Sequence, residues 1–350
     1  MLGKDCIKSA FTKDISELDA VGLLIDNSID AMMSLNKNIR DTNIKICYNN
    51  NEFIIEDNCK GLDEKDEETI FIMEDRTFEN GLGKGLKIAL MKIGETMRVN
   101  SFDGNIAIMS HKIKIEDILG DDKEKLKFIE VFKKEIVFSV KFQNLYVNFM
   151  KELKDLDKYI GFKYRYLLNK GLNIYINEQK IEARMIDKDL LASKDFIYDD
   201  YEFSIKIYNG IKKEYNGVDF IVNDRLVMSR VKNNYLEWKK RIIKKGKTYI
   251  DFYSEVFIYS RNIKELGITP SNDKIDFNNR NIQMILSEFY NMVEETRDYF
   301  SKEKISVQFD ITKEEFFRGK EILESESGSS YIYAKDVVKE IFKYGLWKKS

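Results

Sequence analysis

Three short stretches of the sequence carry residue types that could do chemistry. Leu24–Ala31 contains an asparagine at position 27, Asp57–Leu62 places an aspartate ahead of a glycine, and Gly81–Lys87 is rich in glycine. Taken alone, each has an ordinary interpretation: a polar residue on a helix, a turn aspartate, and a glycine loop that leads into a helix. Their order within residues 24–87 is more specific than any one of them.

Composition excludes several kinds of catalysis. His111 is the only histidine, so a Ser-His-Asp group, a histidine-rich zinc site or a His-Cys pair would depend on one imidazole. Cys6, Cys47 and Cys59 lack the spacing of a metal-binding knuckle, and with no signal peptide expected we predict reduced thiols in a cytoplasmic protein. The 58 basic and 60 acidic residues give a net charge of −2, which disfavours a nucleic-acid surface over the whole molecule. We expect no membrane association, because no apolar run is long enough to span a bilayer.

The three stretches together resemble a known nucleotide site. A helix bearing Asn27, a strand that ends in Asp57 before a glycine turn, and a Gly-x-Gly loop that opens a helix resemble the Bergerat-fold ATP site of the GHKL superfamily. That superfamily includes gyrase B, the MutL repair proteins, histidine kinases, MORC proteins and the ATP-dependent heat-shock chaperone. The pattern is most similar to bacterial MORC-like proteins. The resemblance covers residues 10–300, and its specific motifs lie in the first 90.

The resemblance implies a role for each residue of the site. Asn27 would supply an oxygen to Mg²⁺, which prefers oxygen ligands and phosphates. Asp57 would accept the adenine amino hydrogen, and Gly61 would let the backbone pass beneath the base. Gly83 and Gly85 would let backbone N–H groups approach the ATP phosphates at a helix N-terminus. The other implied nucleotide-binding residues are Asp30, Ala31, Leu62, Thr77, Gly81, Leu82, Lys84, Leu86, Ser139 and Lys274.

Two of these residues come from beyond the first motifs. Ser139 lies near the position where relatives place a threonine behind the adenine, and its register is open. Lys274 closes the loop Leu266–Lys274, which resembles the loop that presents a lysine to the γ-phosphate. An exposed loop lysine is an equally good interpretation of Lys274.

One position departs from the family pattern. Relatives that hydrolyse ATP carry a glutamate four residues before the motif asparagine, where it activates water. Here that position is Leu23, which cannot take a proton. Asp19 is a substitute one turn further back, but it would lie about 6 Å farther along the helix axis. The sequence therefore favours ATP binding over ATP turnover.

The elements that position these residues predict an α+β class, a Bergerat-type two-layer α/β sandwich. Ser16 and Asp19 form a capping box before an apolar helical stripe that runs to Met32. Strands at Ile44–Tyr48 and Glu52–Ile55 form a hairpin. The remaining predicted elements are helices at 63–73 and about 84–93, and strands at 97–100, 106–115, 128–132 and 136–142.

We predict three segments along the chain. Residues 1–155 form the ATP-binding domain, residues 156–304 a smaller transducer-like α/β domain, and residues 305–350 a helical tail. The second segment has a tight turn at Asn223-Asp224 and a long amphipathic helix at about 280–300. Its predicted strands are Asn173–Ile176, Phe203–Tyr208, Val218–Val222 and Glu255–Tyr259.

The resemblance implies an ATP-gated switch that dimerises on binding ATP, with hydrolysis slow or absent. The partners of related proteins are often DNA, and some bacterial members take part in defence against foreign DNA. The alternative is an active ATPase of the chaperone-like or DNA-remodelling type, with Asp19 or a partner-supplied acid as base. A histidine kinase is disfavoured because His111 falls in a predicted strand, and a structural module with a decayed site is a further interpretation. The basic stretch Lys232–Lys247 and the tail are the candidate contacts with DNA or a protein partner.

Overall fold

The computed structural model describes most of the chain up to residue 296, and these residues all fall within one unit, Met1–Thr296. Thr77, Gly81, the predicted helix at 63–73, most of the basic stretch Lys232–Lys247 and the tail lie outside the described residues. The described residues are 12–62, 82–102, 107–119, 128–131, 137–198, 201–209, 213–232, 236, 252–260, 263–268 and 274–296.

The first helix, α1, spans Glu17–Ser34 and begins with the predicted capping box. The Ser16 hydroxyl accepts a hydrogen bond from the Asp19 N–H at 3.0 Å, and the Asp19 carboxylate accepts from the Ser16 N–H at 3.3 Å. Its apolar stripe, with Ile25 and Ile29 fully buried, belongs to the main hydrophobic core. The local sequence therefore determines where this helix starts and which face it buries.

The larger sheet contains nine strands of the described residues in the order β6-β4-β3-β7-β2-β1-β8-β9, with β5 against β3. Neighbouring strands are antiparallel except β1 and β8, which run parallel. The strands are β1 (Asn43–Tyr48), β2 (Glu52–Asp57), β3 (Gly94–Phe102), β4 (Ala107–Ser110), β5 (Ile113–Lys114), β6 (Phe128–Val131), β7 (Phe138–Leu145), β8 (Asn173–Ile176) and β9 (Gln179–Lys180).

Strand β8 differs from the sequence prediction, which groups it with the second segment. In the structure Ile44 pairs with Ile174 and Ile46 with Ile176, so β8 extends the first sheet beyond β1. Alternation of apolar residues predicts a strand but does not specify which partner it pairs with. The larger sheet thus continues to Lys180, and the division of the chain at residue 155 stays a prediction.

Helices α1 and α2 (Leu82–Ile93) cover one face of the larger sheet. Alternate residues of β2, among them Phe53 and Ile55, are buried against them, as a sheet with one covered face requires. Phe53 also meets Phe149 edge-on, with ring centroids 5.3 Å apart. The predicted α+β class is confirmed.

The smaller sheet has the order β10-β11-β14-β12-β13 among the described residues. The predicted tight turn is confirmed, because Asn223 and Asp224 have φ of 47° and 65° and join β12 to β13 as a two-residue hairpin. Helix α7 follows the smaller sheet and ends at Glu295. The elements are β10 (Asp189–Tyr198), β11 (Tyr201–Asn209), β12 (Gly217–Val222), β13 (Arg225–Val231), β14 (Tyr253–Tyr259) and α7 (Arg280–Glu295).

Short helices lie between consecutive strands of the larger sheet. They are α3 (Ile115–Leu119), after β5, and α4 (Val147–Glu152), α5 (Leu156–Lys163) and α6 (Arg165–Lys170), after β7. Arg165 is fully buried and donates to Asp219 at 2.8 Å and to Glu255 at 3.1 Å in the smaller sheet. These two ion pairs therefore attach the start of α6 to the smaller sheet. No helix in the described part of the chain is long and apolar enough to cross a membrane.

Candidate functional site

A cavity of about 300 Å³ opens between α1, the end of β2 and α2. Seven of the residues proposed from the sequence meet there, although they come from three separate motifs. These are Asn27, Asp30, Ala31, Asp57, Gly61, Leu62 and Leu86. The cavity is completed by four residues that were not proposed: Ser28, Ser34, Lys60 and Phe138.

Asp57 is a buried carboxylate at the wall of this cavity. The Ser28 hydroxyl donates to its Oδ2 at 2.6 Å, and the Cys59 N–H donates to its Oδ1 at 2.8 Å. Burial raises the pKa of Asp57, while the hydrogen bonds from Ser28 and Cys59 act in the opposite direction. The carboxylate is thus oriented, and each oxygen keeps acceptor capacity for a donor in the cavity.

Asn27 lies where α1 and α2 approach each other. A β-carbon on Gly85 would lie 3.2 Å from Asn27 Nδ2 and 3.5 Å from Leu23 Cβ, so the glycine permits close helix contact. Helix α2 starts at Leu82, so Gly83 and Gly85 lie inside its first turns and not ahead of it. Of Leu82 and Lys84 only the backbone is described. A helix N-terminus here suits an anionic group.

Gly61 is required by a contact that the sequence did not indicate. A β-carbon at this position would lie 2.3 Å from the Phe102 carbonyl oxygen and 2.8 Å from Ser101 Oγ. The next residue, Leu62, donates its N–H to Ser101 Oγ at 2.7 Å. The turn after Asp57 therefore packs directly on the end of β3, which accounts for the glycine without a bound base.

Ser139 does not line the cavity. It pairs with Glu56, whereas Asp57 pairs with Phe138. Because neighbouring residues of a strand point to opposite faces, Ser139 faces away from Asp57, and Asn100 Nδ2 donates to its hydroxyl at 3.1 Å. Phe138 is the residue of β7 that reaches the cavity, and the register could not be derived from the sequence.

Lys274 also lies away from the cavity. Its ammonium is 3.0 Å from the Asp14 carboxylate, ahead of α1, and both side chains are more than half exposed. The structure therefore does not bring this lysine to the other proposed residues.

Leu23 and Asp19 occupy the two positions of α1 at which a general base was considered. Leu23 is buried beside Gly85. The Asp19 carboxylate accepts from the Ser16 hydroxyl at 2.6 Å and from the Tyr159 hydroxyl at 2.9 Å, so it serves the helix cap and a contact with α5. Neither residue offers a carboxylate to the cavity.

The donor set limits how a metal ion could bind. Among the described residues, no group of three or more His, Cys, Asp or Glu side chains is arranged to hold a metal. The half-buried amide of Asn27 at the cavity wall fits a magnesium ion whose remaining ligands are phosphate oxygens and water.

Comparison with known proteins supports the fold. The structure is similar to the B subunit of the DNA gyrase from Myxococcus xanthus, with a TM-score of 0.51 over 83% of this chain and 94% of that chain. The two sequences are 10% identical, so the likeness concerns the fold. No protein-family model and no curated protein matches the sequence. The chain therefore has a gyrase B-like α+β fold.

Proposed function

We propose that this protein binds ATP in the cavity between α1 and the larger sheet, and that binding acts as a conformational switch. The observation that carries the proposal is the buried Asp57 carboxylate, held by Ser28 and Cys59 at the cavity wall beside Asn27. A carboxylate oriented in this way is suited to accept the amino hydrogen of adenine. The gyrase B-like fold and the order of the motifs support the same assignment.

Different residues of the cavity would contact different parts of the nucleotide. Asp57 accepts from the amino group of adenine, which guanine replaces with a carbonyl at the same ring position. Leu62 and Leu86 supply apolar surface, and the N-terminus of α2 attracts phosphates. Asn27 would hold Mg²⁺, which supplies charge neutralisation for the phosphates when it is bound.

We propose that hydrolysis is slow or absent. The position of the usual glutamate is the buried Leu23, and Asp19 is engaged by Ser16 and Tyr159. An active ATPase of the chaperone-like or DNA-remodelling type would thus need an acid from a partner.

Further parts of the proposal follow from the resemblance. They are a MORC-like kinship, ATP-dependent homodimerisation, the division into an ATP-binding segment 1–155 and a transducer-like segment 156–304, and a cytoplasmic role in bacterial defence against foreign DNA. DNA or a protein would be contacted through Lys232–Lys247 or the tail.

Isothermal titration with Mg-ATP tests the central proposal. We expect the wild-type protein to bind ATP more tightly than GTP, and Asp57→Asn to weaken ATP binding roughly 10- to 100-fold, the worth of a hydrogen bond to a charged group. Asp155→Asn, which removes a surface carboxylate paired with Lys158, is the matched control and should bind normally. Wild-type protein that ignores ATP, or an Asp57→Asn protein that binds it equally well, would contradict the proposal.

A further inference from the structure

Arg225, the first residue of β13, contacts the helix that lines the cavity. Its guanidinium is buried, hydrogen-bonds to Asp30 Oδ1, and lies 3.7 Å from Asp26 Oδ1. Asp26 and Asp30 are four residues apart on α1 and therefore share one face. The fork of a guanidinium can reach both carboxylates, which a lysine ammonium cannot do with equal geometry.

The hairpin turn holds Arg225 in place. Asn223 Nδ2 donates to the Ser260 carbonyl at 2.9 Å, and the Tyr259 hydroxyl donates to Asp224 Oδ1 at 2.9 Å. Both bonds tie the turn to the end of β14. Because β12 also pairs with β14 along Gly217–Val222, movement of Arg225 carries the hairpin β12–β13 together with this part of the smaller sheet.

Asp30 belongs to two cavities at once. It lines the cavity that contains Asp57, and it also lines a neighbouring cleft of about 670 Å³ between the end of α1 and the turn Asn223-Asp224. The Asp30 side chain is 56% exposed, and within the described part of the chain Arg225 is the residue that restrains it. The open cleft leaves space between α1 and the turn beside this contact.

The contact between Arg225 and Asp26 leaves a hydrogen-bonding atom unsatisfied on each residue. Within the described part of the structure, Asp26 Oδ2 and Arg225 Nε are buried without a hydrogen-bond partner. Lys163 Nζ lies 3.8 Å from Asp26 Oδ2, too far for a hydrogen bond. Buried polar atoms without partners cost free energy, so this contact is less stable than a fully hydrogen-bonded one would be.

We propose that Arg225 is a positioning residue that couples occupancy of the cavity to the hairpin β12–β13. Docking of Arg225 on Asp26 and Asp30 holds the Asp30 carboxylate in the orientation that bound nucleotide contacts. The nucleotide therefore binds the docked state more tightly, and binding stabilises the docked hairpin by the same factor. The inference rests on the proposed ATP binding and names the residue that transmits it.

Amide hydrogen exchange with and without Mg-ATP, combined with titration of affinity, tests the coupling in the full chain. In the wild type we expect ATP to slow exchange about fivefold or more in peptides covering residues 217–231. In Arg225→Gln that protection should vanish, ATP affinity should fall by a similar factor, and protection around Asp57 and Gly61 at saturating ATP should remain.

Arg230→Gln is the matched control, because Arg230 is an exposed arginine of the same strand that bonds Ser229 and Glu214. It should retain the wild-type response. Arg225→Lys, which keeps the charge and loses the fork, replaces Arg225→Gln if the latter does not fold, and should lose at least half of the protection.

The two proposals fail in different ways. If ATP protects neither the cavity nor the hairpin in the wild type, ATP binding itself is wrong. If ATP protects the cavity but leaves residues 217–231 unchanged in the wild type, or protects them equally in Arg225→Gln or Arg225→Lys, the coupling through Arg225 is wrong and ATP binding stands.

Discussion

At position 23 of α1, the side chain beside Gly85 is a buried leucine. The same face carries Asn27 one turn later, so these two positions present an amide and an apolar side chain but no carboxylate. Under the proposed function, this single side chain would separate a site that only binds ATP from one that also hydrolyses it.

Leu23→Glu should therefore raise the rate of phosphate release. A positioned general base contributes about 10²–10⁴-fold, and we expect at least a tenfold increase at saturating Mg-ATP. Leu23→Gln introduces a polar side chain of the same size as glutamate that does not act as a general base. This variant should release phosphate at the wild-type rate. Equal rates in the two variants, with ATP still bound, would show that position 23 does not face the γ-phosphate.

The site residues show what sequence can and cannot reveal at this scale. Asn27, Asp57 and Gly61 were predicted because their motifs are local and follow in a fixed order. Ser28 and Phe138 were missed because their importance lies in contacts with Asp57 across the fold. A serine after the motif asparagine was visible in the sequence, but nothing local indicated that it donates to a carboxylate 29 residues away.

A network of buried ion pairs attaches the smaller sheet to α6. Arg165, Asp219 and Glu255 have fully buried side chains, and Lys188 forms a further ion pair with Glu255 at 2.5 Å. Burial alone would raise the pKa of Glu255, but Lys188 and Arg165 outweigh it and lower the pKa to about 2. Tyr166, Tyr208 and Tyr253 also donate to this carboxylate.

Acid should therefore destabilise the protein through Glu255. Its folded-state pKa of about 2 lies below the ordinary value of 4.5, so its stabilisation is complete above pH 4.5 and is lost as the pH falls towards 2. Buried Asp26 and Asp57 have raised pKa values and act in the opposite sense, losing stability as the pH rises. We expect the melting temperature to fall steeply between pH 5 and pH 2.

Glu255→Gln isolates this contribution. The variant should lose about 3–5 kcal/mol at neutral pH, because the largely buried Lys188 loses its ion-pair partner and Arg165 keeps only Asp219. It should also show a shallower decline between pH 5 and pH 2 in thermal unfolding. Asp155→Asn serves as the surface control. Lys158 lowers the pKa of Asp155 in the same direction, but the group is exposed, so this variant should depart little from the wild-type curve. A Glu255→Gln curve parallel to the wild type would contradict the assigned role.

Elements with local signals were predicted well. The capping box at Ser16, the first hairpin and the turn Asn223-Asp224 all depend on residues adjacent in sequence. Strand β10 was missed because it lies at a sheet edge with both faces largely exposed, so it lacks alternating hydrophobicity. The register of Ser139 and the sheet to which β8 belongs depend on distant partners.

Residues beyond 155 complete the larger sheet and the packing of its helices. Strand β8 covers the edge of β1, and Tyr159 of α5 donates to Asp19 of α1. The two helices pack closely there, since a β-carbon on Gly22 would lie 2.6 Å from the Tyr159 hydroxyl. The larger sheet and its helices thus depend on residues of both predicted segments.

A fragment of residues 1–155 should therefore not fold as a stable monomer, whereas residues 1–296 should. The shorter fragment leaves the edge of β1 without its neighbour, and such edges promote aggregation. Size-exclusion chromatography and thermal unfolding of the two fragments provide the measurement. Cooperative unfolding of both at the same temperature would show that β8 and α5 add little.

The parallel pairing of β1 with β8 also bears on how the protein is made. The Thr42 carbonyl accepts a hydrogen bond from the Asn173 side chain, 131 residues later. At translation speeds of about 5–20 residues per second, the nascent chain waits roughly 7–26 s before β1 can meet its neighbour. During that interval on the ribosome the edge of β1 lies unpaired, so we expect production of this protein to depend on chaperones that shield emerging chains.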